Sequence, residues 1–314
     1  MASANIAAYC WEDFGPANIK NNVTKLQNTG LTTAILWAVH VGDPNNEIKH
    51  KYGDLIFNND KDHPENLFIS QGLFNPNKNK QTGDWPGYVA KLKQGGVSKV
   101  FFSIGGGGVS DFTTIEYMLA NNMENVLAKN FHMLRSAFTD KVTKQCAIDG
   151  FDLDCEEGVS QDTIVKFSAI LFKLKFAVTF CPYDAQEQDF WKGCMKTLWD
   201  AGGKVSWWNL QCYDGGNSNR KPENLKTWID TLATVVGGQA APSYLLPGLA
   251  VMGSGPNEQC PAGICQTFST WKDYKLNGGW LWRYDDIGKK PCPGRADLTA
   301  YVDAIKNGLK NRCT

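Results

Sequence analysis

The chain has 314 residues, 42% of them hydrophobic and 12% aromatic, which is enough apolar side chain to bury one large core and too much for a disordered chain. Its 32 basic and 32 acidic residues balance, so no net field draws it to nucleic acid or to an anionic membrane, and any ligand must be held by a shaped site. No apolar run approaches the roughly 20 residues that span a bilayer, and the opening MASANIAAYC has neither a basic region nor an apolar core of signal-peptide length, so the sequence reads as a soluble chain, leaderless or already mature.

Eight runs rich in β-branched and aromatic residues recur along the chain, each followed by a stretch long enough for a helix. In order they are NIAAYCW (5–11), TTAILWAVHV (32–41), SKVFFSIGG (98–106), AIDGFDLDCE (147–156), FAVTFCPY (176–183), VSWWNLQCY (205–213), YLLPGLAVMG (244–253) and GGWLWRYDD (278–286). Helical spacing is predicted in residues 18–30, where Ile19, Val23 and Leu26 share a face and Gly30 supplies a stop, and in residues 85–96. Residues 111–138 are long enough for one or two helices, and 222–238, with Pro222 at its start, and 296–311 complete the alternation. Eight β-then-α units predict a single-domain α/β fold, a (β/α)8 TIM barrel over residues 1–314. An open doubly wound sheet is the alternative, and no Gly-rich dinucleotide fingerprint opens the first unit. Residues 42–84, after the second strand, are too long for an ordinary connection. Within them GDLIFNN and NLFISQG are predicted to pair as a hairpin, and the insertion is expected to wall a substrate groove.

Of ten cysteines, Cys10, Cys146, Cys155, Cys181 and Cys212 lie in strand-like runs and read as buried thiols. Cys260, Cys265, Cys292 and Cys313 lie in Gly/Pro-rich or terminal segments and are expected to form disulfides, in a pairing the sequence leaves open; zinc is the competing reading, against which stands the lack of short C-x2-C spacings. Disulfides suit an oxidising compartment, so secretion is the expectation and a cytoplasmic location the alternative. NVT at Asn22 is a candidate glycosylation acceptor. His40, His50, His63 and His132 show neither metal nor triad spacing and are expected on the surface or in loops.

The fourth run carries the chemistry. Side chains alternate along a strand, so Asp152, Asp154 and Glu156 point one way and Phe151, Leu153 and Cys155 the other. In a parallel barrel the outer face is covered by helices, which sends the three acids into the interior near the C-terminal mouth. Each buried carboxylate there costs on the order of several kcal/mol unless paired or protonated, so the row is expected to titrate as a coupled group. Glu156, nearest the mouth, is the candidate general acid for glycoside cleavage. Calcium or magnesium is the rival use of such oxygens, but one face of one strand encloses a cation poorly, and no metal or cofactor is expected.

Asp149-Gly150-Phe151-Asp152-Leu153-Asp154-Cys155-Glu156 resembles the D-G-x-D-x-D-x-E signature of glycoside hydrolase family 18, the family of chitinases and endo-β-N-acetylglucosaminidases. Ser103-Ile104-Gly105-Gly106 resembles its S-x-G-G motif, Gln211-Cys212-Tyr213-Asp214 its Q/M-x-Y-D/N motif, and Leu281-Trp282 the Leu-Trp end of its eighth-strand motif. The resemblance implies a retaining mechanism with no protein nucleophile. Glu156 would protonate the glycosidic oxygen while the substrate's 2-acetamido carbonyl attacks the anomeric carbon to give an oxazolinium. Asp154 would orient the acetamide N–H, Asp152 would share a proton with Asp154, Tyr213 would donate to the acetamide and Trp282 would floor the sugar. Gln211 and Asp214 would bond that sugar, with Gly105, Gly106 and Asp149 of the motifs also placed on the substrate side. Cys155 departs from the aromatic or aliphatic residue common at its position, and Trp280-Leu281-Trp282 lacks the usual Met. No insertion domain follows the seventh strand, which implies a shallow, open groove.

Among the other aromatics, Tyr9 and Tyr183 are placed at the mouth as sugar contacts, whereas Trp11, Trp37, Trp207 and Trp208 are assigned to core packing. The partner expected is an N-acetylglucosamine-containing oligosaccharide or glycoprotein glycan, either chitin or the chitobiose core of N-glycans, bound by a monomer. A catalytically silent lectin on the same barrel is the alternative function.

Overall fold

A computed structural model describes residues 4–45, 50–58, 66–74 and 80–313. The strands are β1 (Asn5–Cys10), β2 (Thr33–Val41), β3 (Leu55–Phe57), β4 (Leu67–Ser70), β5 (Leu73–Phe74), β6 (Lys99–Gly105), β7 (Gly150–Asp154), β8 (Ala177–Phe180), β9 (Val205–Gln211), β10 (Leu245–Ala250) and β11 (Gly278–Trp282). Parallel pairing runs β1-β2-β6-β7-β8-β9-β10-β11 and closes on β1, so the eight expected strands form the (β/α)8 barrel rather than an open sheet. The helices around it are α1 (Ile19–Asn22), α2 (Lys80–Leu92), α3 (Asp111–Ala120), α4 (Glu124–Ala137), α5 (Gln161–Lys173), α6 (Gln188–Asp200), α7 (Pro222–Val236), α8 (Pro261–Thr270) and α9 (Leu298–Leu309).

Alternation divides the apolar residues into two cores. Phe151, Leu153 and Cys155 of β7 and its extension join the large layer between sheet and helices, while Ala7, Ile35, Phe101, Trp207, Leu246 and Trp280 fill the barrel interior. Gly248 makes the inner packing possible, because a Cβ there would stand 1.9 Å from the Trp280 indole.

Residues 42–84 contain the expected antiparallel hairpin, β3 against β4, and its first strand also pairs with the end of β2. Phe57 and Phe68 pack on Trp85, which lies against Phe102 and Phe138, so the described part of the insertion is anchored by a buried aromatic cluster. Each such ring contributes on the order of 2–3 kcal/mol of burial. Residues 46–49, 59–65 and 75–79 of the insertion, His63 among them, lie outside the described residues.

Three local expectations are corrected. The helix in residues 18–30 is only the short α1, followed by i→i+3 turns, because Asn22 turns its side chain back on the backbone. That same geometry removes the glycosylation reading. The Asn22 amide is 7% exposed and donates to the carbonyls of Asp13 (2.9 Å) and Asn18 (3.2 Å). His40 is likewise not a surface residue; it is buried beside Asp111, with Nδ1 2.8 Å from the carboxylate.

The four C-terminal cysteines pair as Cys260–Cys292 and Cys265–Cys313, which interleave in sequence and tie α8 to the segment after β11 and to the end of α9. The closed loops of 32 and 48 residues correspond to at most about 4 kcal/mol of chain-entropy stabilisation each. Thermal melts with and without dithiothreitol should show a lower midpoint on reduction. Thiol titration of the denatured, unreduced chain should count only the six cysteines outside these bridges.

Candidate active site

The acids of β7 form a graded row. Asp152 is wholly buried, Asp154 is 3% exposed and Glu156, just past the strand, is half-buried at the mouth. Strand register surrounds the deepest acid with donors, since Ser103 on β6 and Thr179 on β8 lie level with it. Its Oδ1 accepts from Thr179 Oγ1 (2.6 Å) and Asn209 Nδ2 (2.7 Å); its Oδ2 accepts from the Tyr9 hydroxyl and, more weakly, from Ser103 Oγ at 3.4 Å. Burial still pushes the Asp152 carboxyl up against the opposing pull of these bonds.

Asp154, on the same face, is linked toward the mouth. The Gln211 side-chain amide spends one hydrogen on Asp154 Oδ1 and one on Glu156 Oε1, both at 3.0 Å. Gln211 thus links Asp154 to Glu156, while Asp152 acts on Asp154 from the barrel side through its charge. Burial, and then the charges of Glu156 and Asp152, hold the Asp154 carboxyl well above the usual range. Glu156 is also raised, by partial burial and by the nearby charge of Asp214, against the Gln211 bond. The pair therefore retains a proton where isolated carboxylic acids would have lost theirs.

Backbone geometry allows this closeness. Gly105 has φ +94°, and a Cβ on it would lie 2.2 Å from the Asp154 carbonyl; Gly106 has φ +116° and donates its N–H to that same carbonyl at 2.7 Å. Aromatic rings complete the mouth. Tyr213 stacks parallel to Trp282 with centroids 6.0 Å apart, and Trp37 meets Trp282 edge-on at 5.2 Å while its indole N–H donates to the Gly105 carbonyl. Trp280, two residues before Trp282 on the same face, lies one layer deeper beneath Tyr213. Trp11 extends the line from Trp37 and carries the Arg283 guanidinium 4.1 Å above its ring.

Glu156, Asp154, Asp152, Tyr213, Trp282, Gln211, Gly105 and Gly106 are thus brought together, and Asp214 lies beside them with an exposed side chain in a left-handed turn, φ +47°. Two expected contacts are not in the sugar-facing set. Asp149 sits at the opposite end of β7, where it accepts from the Val100 N–H (2.7 Å) and pairs with Lys93 (2.8 Å); it precedes Asp152 by an odd number of residues and fastens the barrel floor. Tyr9 is 1% exposed and packed between Trp280, Trp282 and Asp152, so it supports the acid row instead of stacking on a sugar. Sequence reading missed Thr179 and Asn209 as partners of Asp152, and assigned Trp37 to the core. A signal existed for the first two: Thr179 is the one polar residue of AVTF and Asn209 follows two tryptophans in VSWWNLQ, and a buried polar side chain must find a partner.

No protein-family model matches the chain, and no curated protein matches it in sequence. Its fold is that of solved glycoside hydrolase family 18 structures. A fungal endo-β-N-acetylglucosaminidase of the family superposes with a TM-score of 0.67 at 19% identity, over 98% of either chain. A family 18 chitinase from Pseudoalteromonas aurantia gives 0.64 at 14% identity, over 98% of this chain and all of its own. The catalytic domain of a Pyrococcus furiosus chitinase gives 0.64 at 13%, over 99% of this chain and 96% of its own.

A carboxyl whose folded-state pKa is raised gives stability that is present at low pH and lost as pH rises through that pKa. At pH 7 the burial of Asp154 therefore weighs against the fold. Asp154→Asn, which keeps the acceptor for Gln211, should raise the melting temperature at pH 7 by about 2 °C or more, with the gain vanishing below about pH 4. Paired melts across this range check it.

Proposed function

We propose that the chain is a retaining endo-glycosidase that cleaves the β-1,4 bond between two N-acetylglucosamine units. The observation that carries this reading is the gradient along β7. Only Glu156 reaches the mouth, bonded by a single side-chain amide and holding a raised pKa, as a proton donor to a leaving oxygen requires. Asp154, buried behind it, is badly placed to attack an anomeric carbon but well placed to accept a hydrogen bond from a group lying over Glu156. An acetamide on the substrate fills that role. Its N–H is held by Asp154, its carbonyl receives the Tyr213 hydroxyl, which has no hydrogen-bond partner among the described residues, and its oxygen attacks the anomeric carbon at high effective concentration. Trp282, backed by Tyr213 and Trp37, supplies the apolar platform for the sugar ring.

The steps balance with water as the co-reactant. Attack of the acetamide oxygen breaks the glycosidic bond, and the Glu156 proton leaves with the departing hydroxyl. Water then opens the oxazolinium and returns a proton to Glu156. The structural neighbours include enzymes named for both candidate substrates, and chitin and the N-glycan chitobiose core share the bond and the acetamide this chemistry needs. The two disulfides support an extracellular setting.

Glu156→Gln should lower kcat on a chitobiose-linked substrate by about 10²–10⁴-fold. In the wild type, activity should fall as pH rises through the elevated Glu156 pKa, and this limb should be absent from the residual activity of the variant. Assays on chito-oligosaccharides and on a high-mannose glycopeptide separate the two substrates; binding without turnover of either would instead favour the lectin reading.

A further inference from the structure

The residue after the acid is not idle. The Glu157 side chain points away from the catalytic row, and its two oxygens accept the backbone N–H groups of Phe112 (2.9 Å) and Thr113 (2.8 Å), in the first turn of α3. That helix returns the bond. Glu116, one turn further along α3, accepts the Ser160 N–H (2.8 Å) and the Thr163 hydroxyl (2.9 Å), at the start of α5. Each carboxylate therefore accepts donors at the start of a helix, where the dipole favours negative charge; these bonds hold Glu116 below the usual range, whereas burial pushes Glu157 up against them. The other side of α3 is pinned to β2, because buried Asp111 accepts the Val41 N–H at 2.8 Å and faces His40.

Two short connections hang from these ties. Residues 155–160 carry Glu156 and are held by Glu157 and by the Ser160 N–H. Residues 106–110, joining β6 to α3, pass directly over the acid: a Cβ on Gly107 would stand 3.2 Å from Glu156 Oε2. This second connection is glycine-rich, with Gly106 and Gly108 at φ +116° and +78°, so its own backbone does little to fix its path. It is held at one end by the Gly106 N–H on the Asp154 carbonyl and at the other by the position of α3.

We propose that Glu157 and Glu116 form a reciprocal clasp whose function is to hold the proton-donating carboxyl of Glu156 and the glycine-rich wall over it in register, making both of them positioning residues for the acid step. The proposal rests on the glycosidase reading above. A displacement of about 1 Å at a reacting group can cost on the order of 10²-fold in rate, and Glu157 is one peptide unit from the donor.

Leaving-group dependence separates positioning of an acid from general loosening of the fold. A dinitrophenyl leaving group departs without protonation, whereas a sugar hydroxyl needs the proton. Kinetics of wild type, Glu157→Ala, Glu157→Gln and Glu116→Ala should be measured on a dinitrophenyl chitobioside and on a chito-oligosaccharide or glycopeptide, with melting temperatures recorded alongside. Each alanine variant should lose about tenfold or more in kcat on the sugar leaving group with KM nearly unchanged, while its kcat/KM on the dinitrophenyl substrate, which reports only the first bond cleavage, should stay close to wild type. Glu157→Gln, which keeps one acceptor, should recover part of the loss, and the double alanine variant should lose no more than the worse single one, because the two residues act as a unit. Equal losses on both substrates, or lower melting temperatures with unchanged kcat, would overturn the clasp alone. A wild type that turns over neither substrate would overturn the glycosidase reading and the clasp with it.

Discussion

A carboxylate inside a β-barrel has to be paired or protonated, and three in one row, two on β7 and one just past its end, dictate what stands around them. The deepest, Asp152, is met by four neutral donors from four other strands, Tyr9, Ser103, Thr179 and Asn209. The next two have one amide between them and share it. Polar satisfaction thus falls along the row from barrel centre to mouth as solvent access rises. The member that is least held is also the member a ligand can reach.

The barrel supplies this gradient through register. Parallel strands of fixed tilt place Ser103, Asp152 and Thr179 at one level, and closure of the sheet brings Tyr9 and Asn209 to the same point from strands far away in sequence. Above that level the chain switches from strand to connection, and the alternation of faces sends Glu156 inward and Glu157 outward. One residue meets the substrate groove and its neighbour meets the start of α3. Support and chemistry are adjacent in sequence because a β-strand separates them by face.

Much of this was legible in the sequence. The eight strands were readable because each is an apolar run buried on both sides and set apart by helix-length stretches, and the direction of the acids followed from alternation alone. Errors arose where long-range contacts decide. Asp149 shares a motif with the acids but has the wrong parity and sits at the wrong end of β7. Tyr9 ends a strand at the mouth, yet Trp280 and Trp282 close over it. The helix expected in residues 18–30 gave way to turns because Asn22 could bond backward, and Trp37 left the core for the mouth because the Gly105 carbonyl lay within reach of its indole. The disulfide pairing, open among three possibilities in sequence, was decided by the packing of α8 against α9.

The central claim is that the substrate's own acetamide replaces a protein nucleophile, with Glu156 as the proton donor. The stereochemistry of the first-formed product tests it most directly, because attack by the neighbouring group from below followed by water from above inverts the anomeric carbon twice. Proton NMR of a chito-oligosaccharide or glycopeptide digest, recorded before mutarotation equilibrates the reducing ends, should show the new reducing N-acetylglucosamine as the β-anomer. Initial release of the α-anomer would mean a single direct displacement by water and would contradict the account.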